Sequence, residues 1–294
     1  MFRNRKTYIF IFLASIILAY FVLASLFDYD IAVTVSGKFK NGFFTLFFDT
    51  FAQVLIFSPL FLIFSIYSLK FTSFLKFKIN IKILIQTIII FLFTGFLIVY
   101  LFLIKKDKIV DYSLSIKLIT FFTIFISLSI LNIYVLKVIL KNDEVEINQL
   151  VYKSNIVVIF LVLSWLNVIL FKYIFGRNRP EDVIENNASF QYIFQINFNR
   201  TKTSTSFPSG HTMSAGQLIV FCYFLDFKKT KKERILKSIL LVTIGFLIIA
   251  TAISRILMQK HFLTDVSFSV VIIAGYYFLA PIIVNKINRR INNG

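Results

Sequence analysis

Apolar residues occur along this chain in long runs that polar or basic segments separate. The runs cover about residues 8–27, 54–69, 83–104, 118–140, 156–175, 209–227, 238–253 and 266–284. A helix needs roughly 18 or more apolar residues to cross the hydrocarbon core of a bilayer. The runs are continuous, whereas the strands of a membrane barrel alternate in polarity over about ten residues. The pattern therefore predicts an all-α polytopic membrane protein with about eight transmembrane helices.

Two segments between the runs have patterns of their own. Residues 28–53 are mixed, and their second half is rich in phenylalanine, which is typical of a segment that lies along the membrane interface. Residues 190–198 alternate aromatic or aliphatic residues with mostly polar ones, which predicts a short extended segment with one apolar face. The phenylalanine-rich stretch 43–51 and the segment 190–198 are candidates to line an access path for lipid, and interfacial anchoring by aromatic side chains is the alternative.

The composition agrees with a membrane protein, since 58% of the residues are hydrophobic and 38 are phenylalanine. The formal net charge of +18 has two explanations. Most of the excess is expected in cytoplasmic loops, and a few residues are expected to attract anionic substrates or lipid head groups. Nucleic acid is not expected as a partner, because no soluble basic domain exists to hold it. Cys222 is the single cysteine, which excludes an intrachain disulfide.

The basic segments predict how the chain is oriented. With the N-terminus inside, the inner segments are 1–7, 70–82, 141–153, 228–237 and 285–294, and four of these five are strongly basic. The basic segment 105–108 falls outside and disagrees with this orientation. The first run is predicted to be a retained signal anchor, because no small-residue cleavage site follows it. Both termini are therefore expected in the cytoplasm, with the protein in the plasma membrane (the inner membrane of a bacterium).

The chain is expected to form a single membrane domain, 1–294. Residues 1–149 contribute helices without recognisable motifs, 150–285 contain the candidate chemistry, and 286–294 form a basic cytoplasmic tail. The predicted orientation brings three motif segments, distant in sequence, to the same outer end of their helices.

The chain has only two histidines, and both lie in these motif segments. His261 is followed four residues later by Asp265, which on a helix puts both side chains on one face. A carboxylate there can fix the imidazole tautomer, so that the opposite nitrogen acts as a nucleophile or a base. A hydrogen bond without catalytic role is the alternative for an isolated pair of this kind.

The other histidine, His211, follows Pro208, Ser209 and Gly210 immediately before an apolar run. Proline suits the first turn of a helix, and the free N–H groups of a helix N-terminus bind anions. Three basic residues are expected nearby: Lys172, Arg179 and Arg255. Arginine binds phosphate oxygens with a planar fork, and lysine adds a point charge. The alternative for the segment around His211 is an ordinary helix N-terminus. The alternative for the three basic residues is a collar of basic side chains at the membrane interface.

Together the three segments resemble the signature of the phosphatidic acid phosphatase type 2 superfamily. The matching positions are Lys172-x6-Arg179-Pro180, Pro208-Ser209-Gly210-His211 and Ser254-Arg255-x5-His261-x3-Asp265. They are complete and in order, and the resemblance covers about residues 150–285. Members of this superfamily include lipid phosphate phosphatases, undecaprenyl pyrophosphate phosphatases, lipid A phosphatases, acid phosphatases and vanadium haloperoxidases. The resemblance implies a six-helix membrane core, so two of the eight predicted helices exceed what the core needs.

The resemblance also implies a role for each matching residue. His261 would attack phosphorus to form a phosphohistidine, and Asp265 would orient it. His211 would protonate the leaving oxygen and then help to activate water. The phosphate oxygens would be held by Lys172, Arg179, Ser209, Gly210 and Arg255.

Elementary chemistry agrees with these roles. An alkoxide is a poor leaving group and needs an acid, and the charge on the equatorial oxygens needs fixed donors. Because three cationic side chains can supply that charge, we expect neither a metal nor another cofactor. Two histidines without an acidic cluster do not favour a zinc or two-metal site.

The sequence therefore predicts a metal-independent lipid phosphatase whose site faces the periplasm or the exterior. Candidate substrates are undecaprenyl pyrophosphate, phosphatidic acid, phosphatidylglycerol phosphate and lipid A. One alternative is a phosphotransferase that passes the phosphoryl group to another hydroxyl. Another alternative is a phospholipid transporter. The absence of charged residues deep within the apolar runs argues against a transporter. A haloperoxidase is disfavoured by the membrane spans.

Overall fold

The computed structural model describes residues 2–35, 39–104, 114–198, 204–225 and 230–293. The α-helices in this part of the chain are α1 (Phe2–Thr34), α2 (Phe43–Val54), α3 (Phe57–Phe74), α4 (Ile79–Ile98), α5 (Leu114–Lys141), α6 (Glu144–Phe175), α7 (Pro180–Glu185), α8 (Gly210–Gln217), α9 (Lys231–Leu257) and α10 (Leu263–Asn293). A π-helix (Val99–Ile104) continues α4, and a 3-10 helix (Leu218–Tyr223) continues α8. The described residues contain no strand.

Seven helical stretches among the described residues are long and apolar enough to cross a membrane. They are Ser15–Thr34, Phe43–Phe74, Ile79–Leu103, Leu114–Lys141, Glu144–Glu185, Lys231–Leu257 and Leu263–Ile291. Large apolar side chains such as Phe91, Phe246 and Phe278 are exposed on their outer faces. Such faces are stable against lipid and unfavourable in water. The predicted all-α polytopic membrane fold is confirmed.

The predicted crossing at 209–227 differs from the other seven. It consists of α8 and the 3-10 helix, and neither element is long enough by itself to span a bilayer. Residues 212–217 are all buried, because α8 packs against α2, α6, α9 and α10. Small residues, Ser214, Ala215 and Gly216, allow this close packing. Hydropathy identified the segment as apolar, but its burial comes from neighbouring helices.

The two patterned segments also take unexpected conformations. Residues 28–34 extend α1, and the phenylalanine-rich half of 28–53 forms α2, which packs on α5, α8 and α9. Residues 190–198 contain a turn in which the Gln195 N–H donates to the Tyr192 carbonyl over 3.3 Å. Phe194 has a positive φ of 66°, which breaks the period of two. The basic segment 105–108 and residues 226–229 lie outside the described residues.

Close packing between α8 and α10 depends on Gly216. A Cβ atom at this position would lie 2.0 Å from Cδ1 and 2.9 Å from Cγ1 of Ile273 on α10. Gly245 on α9 is the contrasting case, because a Cβ there would meet nothing within 4 Å.

We expect Gly216→Ala to lower the thermal stability of the detergent-solubilised protein. Overpacking of this kind costs about 1–3 kcal/mol, which exceeds the gain of about 1 kcal/mol from replacing a helical glycine. Gly245→Ala is the matched control and should leave the melting temperature unchanged or higher. Equal melting temperatures for the two variants would show that α8 and α10 are not packed this closely.

Candidate active site

The three motif segments meet at one end of the helix bundle. The C-terminal ends of α6 and α9 and the N-terminal ends of α8 and α10 contribute the predicted residues. The C-terminal end of α1 and the helix α2 also reach this end, through Asp28 and Asp49. Six elements therefore build one site, and two of them carry no recognised motif.

A glycine directs the first motif into the site. Gly176 caps α6 in the left-handed region, with φ of 46°, and its N–H donates to the Lys172 carbonyl over 3.2 Å. Glycine adopts this conformation without the steric cost of a Cβ. The chain therefore leaves the helix sharply. Arg179 becomes the N-cap residue of α7, and Pro180 occupies its first turn.

The second motif starts α8 and is attached to α10. The Ser209 hydroxyl oxygen accepts from the Thr212 N–H at 3.4 Å and from the Thr212 hydroxyl at 3.0 Å. The Ser209 N–H donates to the Asp265 carbonyl over 3.2 Å, and the Ser269 hydroxyl donates to the Ser209 carbonyl over 3.0 Å. Both bonds fix the start of α8 relative to the start of α10. Gly210 and His211 follow in the first turn.

His261 lies in the short connection between α9 and α10 and is buried. Its Nδ1 is 2.6 Å from the Ser206 carbonyl oxygen. A carbonyl oxygen only accepts, so Nδ1 carries the proton and Nε2 has the free lone pair. The structure thus favours the tautomer in which the lone pair of Nε2 is available.

Asp265 orients His261 by a different route from the one expected. Its Oδ2 is 3.8 Å from His261 Nδ1, too far for a hydrogen bond. The same oxygen accepts from the Ser206 hydroxyl at 2.5 Å and from the Phe262 N–H at 2.8 Å. Asp265 therefore holds Ser206 and the main chain beside His261, and the Ser206 carbonyl orients the imidazole.

Burial lowers the pKa of His261 to about 3, and the nearby charges of Arg255 and Lys172 act in the same direction. The Asp265 carboxylate opposes them and only partly compensates. An imidazole in this environment is neutral at physiological pH.

A buried arginine, Arg177, connects the site to α1. Its Nη1 donates to Asp265 Oδ1 over 2.7 Å and to the Thr264 hydroxyl over 2.8 Å. Its Nη2 donates to Asp28 Oδ2 over 2.9 Å, and its Nε donates to the Gln191 carbonyl over 3.0 Å. The guanidinium also stacks 4.3 Å from the ring centroid of Phe262. One side chain thereby joins α1, the 176–198 segment and α10.

The three cations of the motifs have different neighbours at this end of the bundle. A Cβ on Gly210 would lie 3.9 Å from Lys172 Nζ, which puts the ammonium group beside the first turn of α8. Arg179 Nη2 donates to the Thr205 hydroxyl over 3.1 Å, whereas Arg179 Nε is buried without a hydrogen-bond partner among the described residues. A buried donor of this kind is costly unless a ligand satisfies it.

Arg255 and His211 share a partner that the motifs do not contain. Arg255 Nη1 contacts Asp49 Oδ1 on α2, and the same oxygen is 3.1 Å from His211 Nε2. The amide nitrogen of Gln53, one helical turn later on α2, is also 3.1 Å from His211 Nε2. Asp49 thus connects the guanidinium of Arg255 with the imidazole of His211.

The structure thus brings all eight predicted residues together: Lys172, Arg179, Ser209, Gly210, His211, Arg255, His261 and Asp265. It adds five that the sequence did not single out as site residues: Asp28, Asp49, Gln53, Arg177 and Ser206. The sequence contained one indication that the two aspartates, Asp28 and Asp49, could be functional. Asp28 and Asp49 adjoin long apolar runs, where ionisable residues are costly and usually functional.

Comparison with known families agrees with this geometry. The model of the PAP2 superfamily matches residues 153–289 and confirms the resemblance drawn from the motifs. No curated protein and no solved structure matches the chain. The family match together with the apolar helices indicates a membrane protein of the phosphatase type. The match begins after α2, so Asp28, Asp49 and Gln53 lie outside it.

We expect Arg177→Lys to destabilise the protein by about 3 kcal/mol or more. A lysine retains the charge but lacks the planar fork, so hydrogen bonds to two buried carboxylates are lost, each worth about 1.5–3 kcal/mol. Thermal unfolding in detergent measures the effect. Arg234→Lys, on the exposed start of α9, is the matched control. A melting temperature for Arg177→Lys equal to that of the control would contradict the linking role of Arg177.

Proposed function

Residues 153–289 form a PAP2 superfamily domain, and from that premise we propose that the protein is a metal-independent lipid phosphatase of the membrane. It hydrolyses a phosphate monoester or a diphosphate on a lipid head group. The candidates are undecaprenyl pyrophosphate, phosphatidic acid, phosphatidylglycerol phosphate and lipid A. The site faces the periplasm or the exterior, because the basic inner segments put the opposite ends of these helices in the cytoplasm.

The observation that carries the proposal is the state of His261. A neutral imidazole with its proton fixed on Nδ1 lies among cationic side chains. A structural histidine gains nothing from cations that oppose its protonation. A nucleophile that attacks a dianionic phosphate does gain, because the cations attract the phosphate while the lone pair of Nε2 remains available.

The first chemical step transfers the phosphoryl group to His261. Nε2 attacks phosphorus, the bond between phosphorus and the lipid oxygen breaks, and a proton passes from the His211 imidazolium to that oxygen. Lys172, Arg179 and Arg255 stabilise the charge on the three equatorial oxygens. The Ser209 hydroxyl accepts from Thr212, so its own proton remains available to donate to the phosphate.

The second step releases inorganic phosphate. His211, now neutral, removes a proton from a water molecule whose oxygen attacks phosphorus, and the phosphorus–nitrogen bond to His261 breaks. Both imidazoles then return to their starting states. Acid catalysis in the first step and base catalysis in the second use the same group, as microscopic reversibility requires.

An apolar cavity supports a lipid as the substrate. It has a volume of about 540 Å³ and lies between α2, α3, α5, the 3-10 helix and α9. Leu218 and Leu247 line it, seven residues after His211 and eight residues before Arg255. On a helix these separations correspond to about two turns. A head group bound by the cations would thus have room for its hydrocarbon chain deeper in the membrane.

We expect His261→Ala to abolish phosphate release from phosphorylated lipids while the protein still folds. Purified protein in detergent with EDTA, tested on a panel of the four candidate substrates, measures free phosphate. Release by the wild type in EDTA supports the metal-independent reaction. Wild-type rates in His261→Ala, or wild-type turnover that requires an added metal, would refute the proposal.

His211→Ala tests the acid role separately. It should lower kcat/KM for an alkyl phosphate, which leaves as a poor alkoxide, far more than kcat/KM for an activated aryl phosphate, which needs little protonation. With the aryl phosphate, an acid-labile phosphohistidine should accumulate, because the base of the second step is missing. Equal losses of kcat/KM for the two substrates would count against the assignment of His211.

The lowered pKa of His261 gives a pH prediction whose sign follows from linkage. The folded-state value of about 3 lies below the value of about 6.5 for an exposed histidine. The stabilisation associated with the neutral ring is complete above about pH 6.5 and is lost progressively as the pH falls toward about 3. The melting temperature of the wild type should therefore decrease more between about pH 7 and 5 than that of His261→Gln. Parallel decreases would contradict a neutral buried ring.

A further inference from the structure

The helix α2 contributes side chains to the site although it lies outside the family match. Asp49 is buried and its Oδ1 contacts both Arg255 Nη1 and His211 Nε2, the latter at 3.1 Å. Asp49 and Gln53 are four residues apart, so both project from the same face of α2. The α2 helix packs against α8 and α9, which carry His211 and Arg255.

Gln53 is oriented by a second residue. The Tyr100 hydroxyl of the π-helix donates to Gln53 Oε1 over 2.9 Å, which turns the amide nitrogen toward His211. That nitrogen is 3.1 Å from His211 Nε2. An amide nitrogen only donates and a carboxylate only accepts. His211 Nε2 therefore has an acceptor, Asp49, when it carries a proton, and a donor, Gln53, when it does not.

We propose that Asp49 and Gln53 are the positioning residues that hold His211 in its two protonation states during the reaction. The inference rests on the proposed function. Asp49 stabilises the imidazolium that protonates the leaving oxygen, and Gln53 stabilises the neutral imidazole that then activates water. One of the motif-free helices of 1–149 thus tunes the acid of the site, while Asp49 also fixes the position of Arg255.

Charged groups on the helices packed against α8 contribute to the electrostatic environment of His211. They are Asp49 of α2, Lys172 of α6, Arg255 of α9 and Asp265 of α10, with His261 in the α9–α10 connection. Lys172 and Arg255 oppose a second positive charge in the site. Asp265 is engaged by Arg177 and Ser206. Asp49, at 3.1 Å, is therefore the carboxylate that compensates for these cations at His211.

Asp49 favours the protonated state of His211, whereas Gln53 favours the neutral state. Substitutions of the two residues should therefore shift the pH profile of the reaction in opposite directions, and this distinguishes a positioning role from a structural one. In Asp49→Asn the imidazolium loses its negatively charged partner, so the alkaline limb of kcat/KM for an alkyl phosphate should move to lower pH by about one to three units. In Gln53→Met the neutral imidazole loses its donor, so the same limb should move to higher pH. Damage to packing alone would not move the limb in opposite directions.

The experiment measures kcat/KM against pH for the wild type, Asp49→Asn, Gln53→Met and Asp30→Asn in detergent. Asp30 is exposed near the C-terminal end of α1, so Asp30→Asn is the matched control for the loss of a carboxylate. Near neutral pH, Asp49→Asn should lose about a hundredfold or more with an alkyl phosphate and far less with an activated aryl phosphate. Asp49→Glu should recover part of the loss.

The remaining outcomes of this experiment refute either the inference about Asp49 and Gln53 alone or the proposed function as well. If the wild type releases phosphate and the limb of Asp49→Asn coincides with that of Asp30→Asn, the inference fails and the proposed function stands. If Asp49→Asn does not fold, the pH profile of Gln53→Met tests the inference instead. An alkaline limb of Gln53→Met that coincides with that of the wild type, or that lies at lower pH, refutes the inference. If the wild type hydrolyses neither substrate, the proposed function fails and the inference fails with it.

Discussion

The site depends on one buried guanidinium held between two carboxylates. Arg177 binds Asp28 of α1 and Asp265 of α10, and all three side chains are almost fully excluded from solvent. Buried charges are costly unless pairing and hydrogen bonds compensate them, and here the Thr264 hydroxyl and the Gln191 carbonyl accept two further hydrogen bonds from Arg177. Because Asp265 in turn fixes Ser206, the tautomer of His261 follows from this ion pair. The geometry of the candidate site therefore depends on the packing of α1 against α10.

The two histidines acquire different states because their surroundings differ. His261 is enclosed, with its Nδ1 on a carbonyl and cations nearby, which keeps the ring neutral. His211 is partly exposed, and a carboxylate lies 3.1 Å from its Nε2. The same side-chain type can thus act as a nucleophile at one position and as an acid at another. Different surroundings of this kind allow two groups of the same type to have the different roles proposed for them.

Much of the architecture was predictable because the bilayer imposes a simple pattern. Helices that face lipid must be apolar over their whole length, so seven were recognised from the sequence. The crossing at 209–227 was recognised as apolar, but among the described residues it consists of α8 and a 3-10 helix packed among other helices, not of one long α-helix. The segment 190–198 was mistaken for an extended one, since a turn at Phe194 is not encoded in its alternation.

The sequence by itself determined which residues have the chemistry for phosphoryl transfer, since the three motifs are local patterns whose residue types and spacings are legible. Only the tertiary structure decided how those residues are held. The contacts of Asp28, Asp49, Gln53 and Ser206 join residues that lie 55 or more positions apart. No local pattern specifies such pairs. They arise because burial at one end of the bundle leaves each charge and each polar group only a few possible partners.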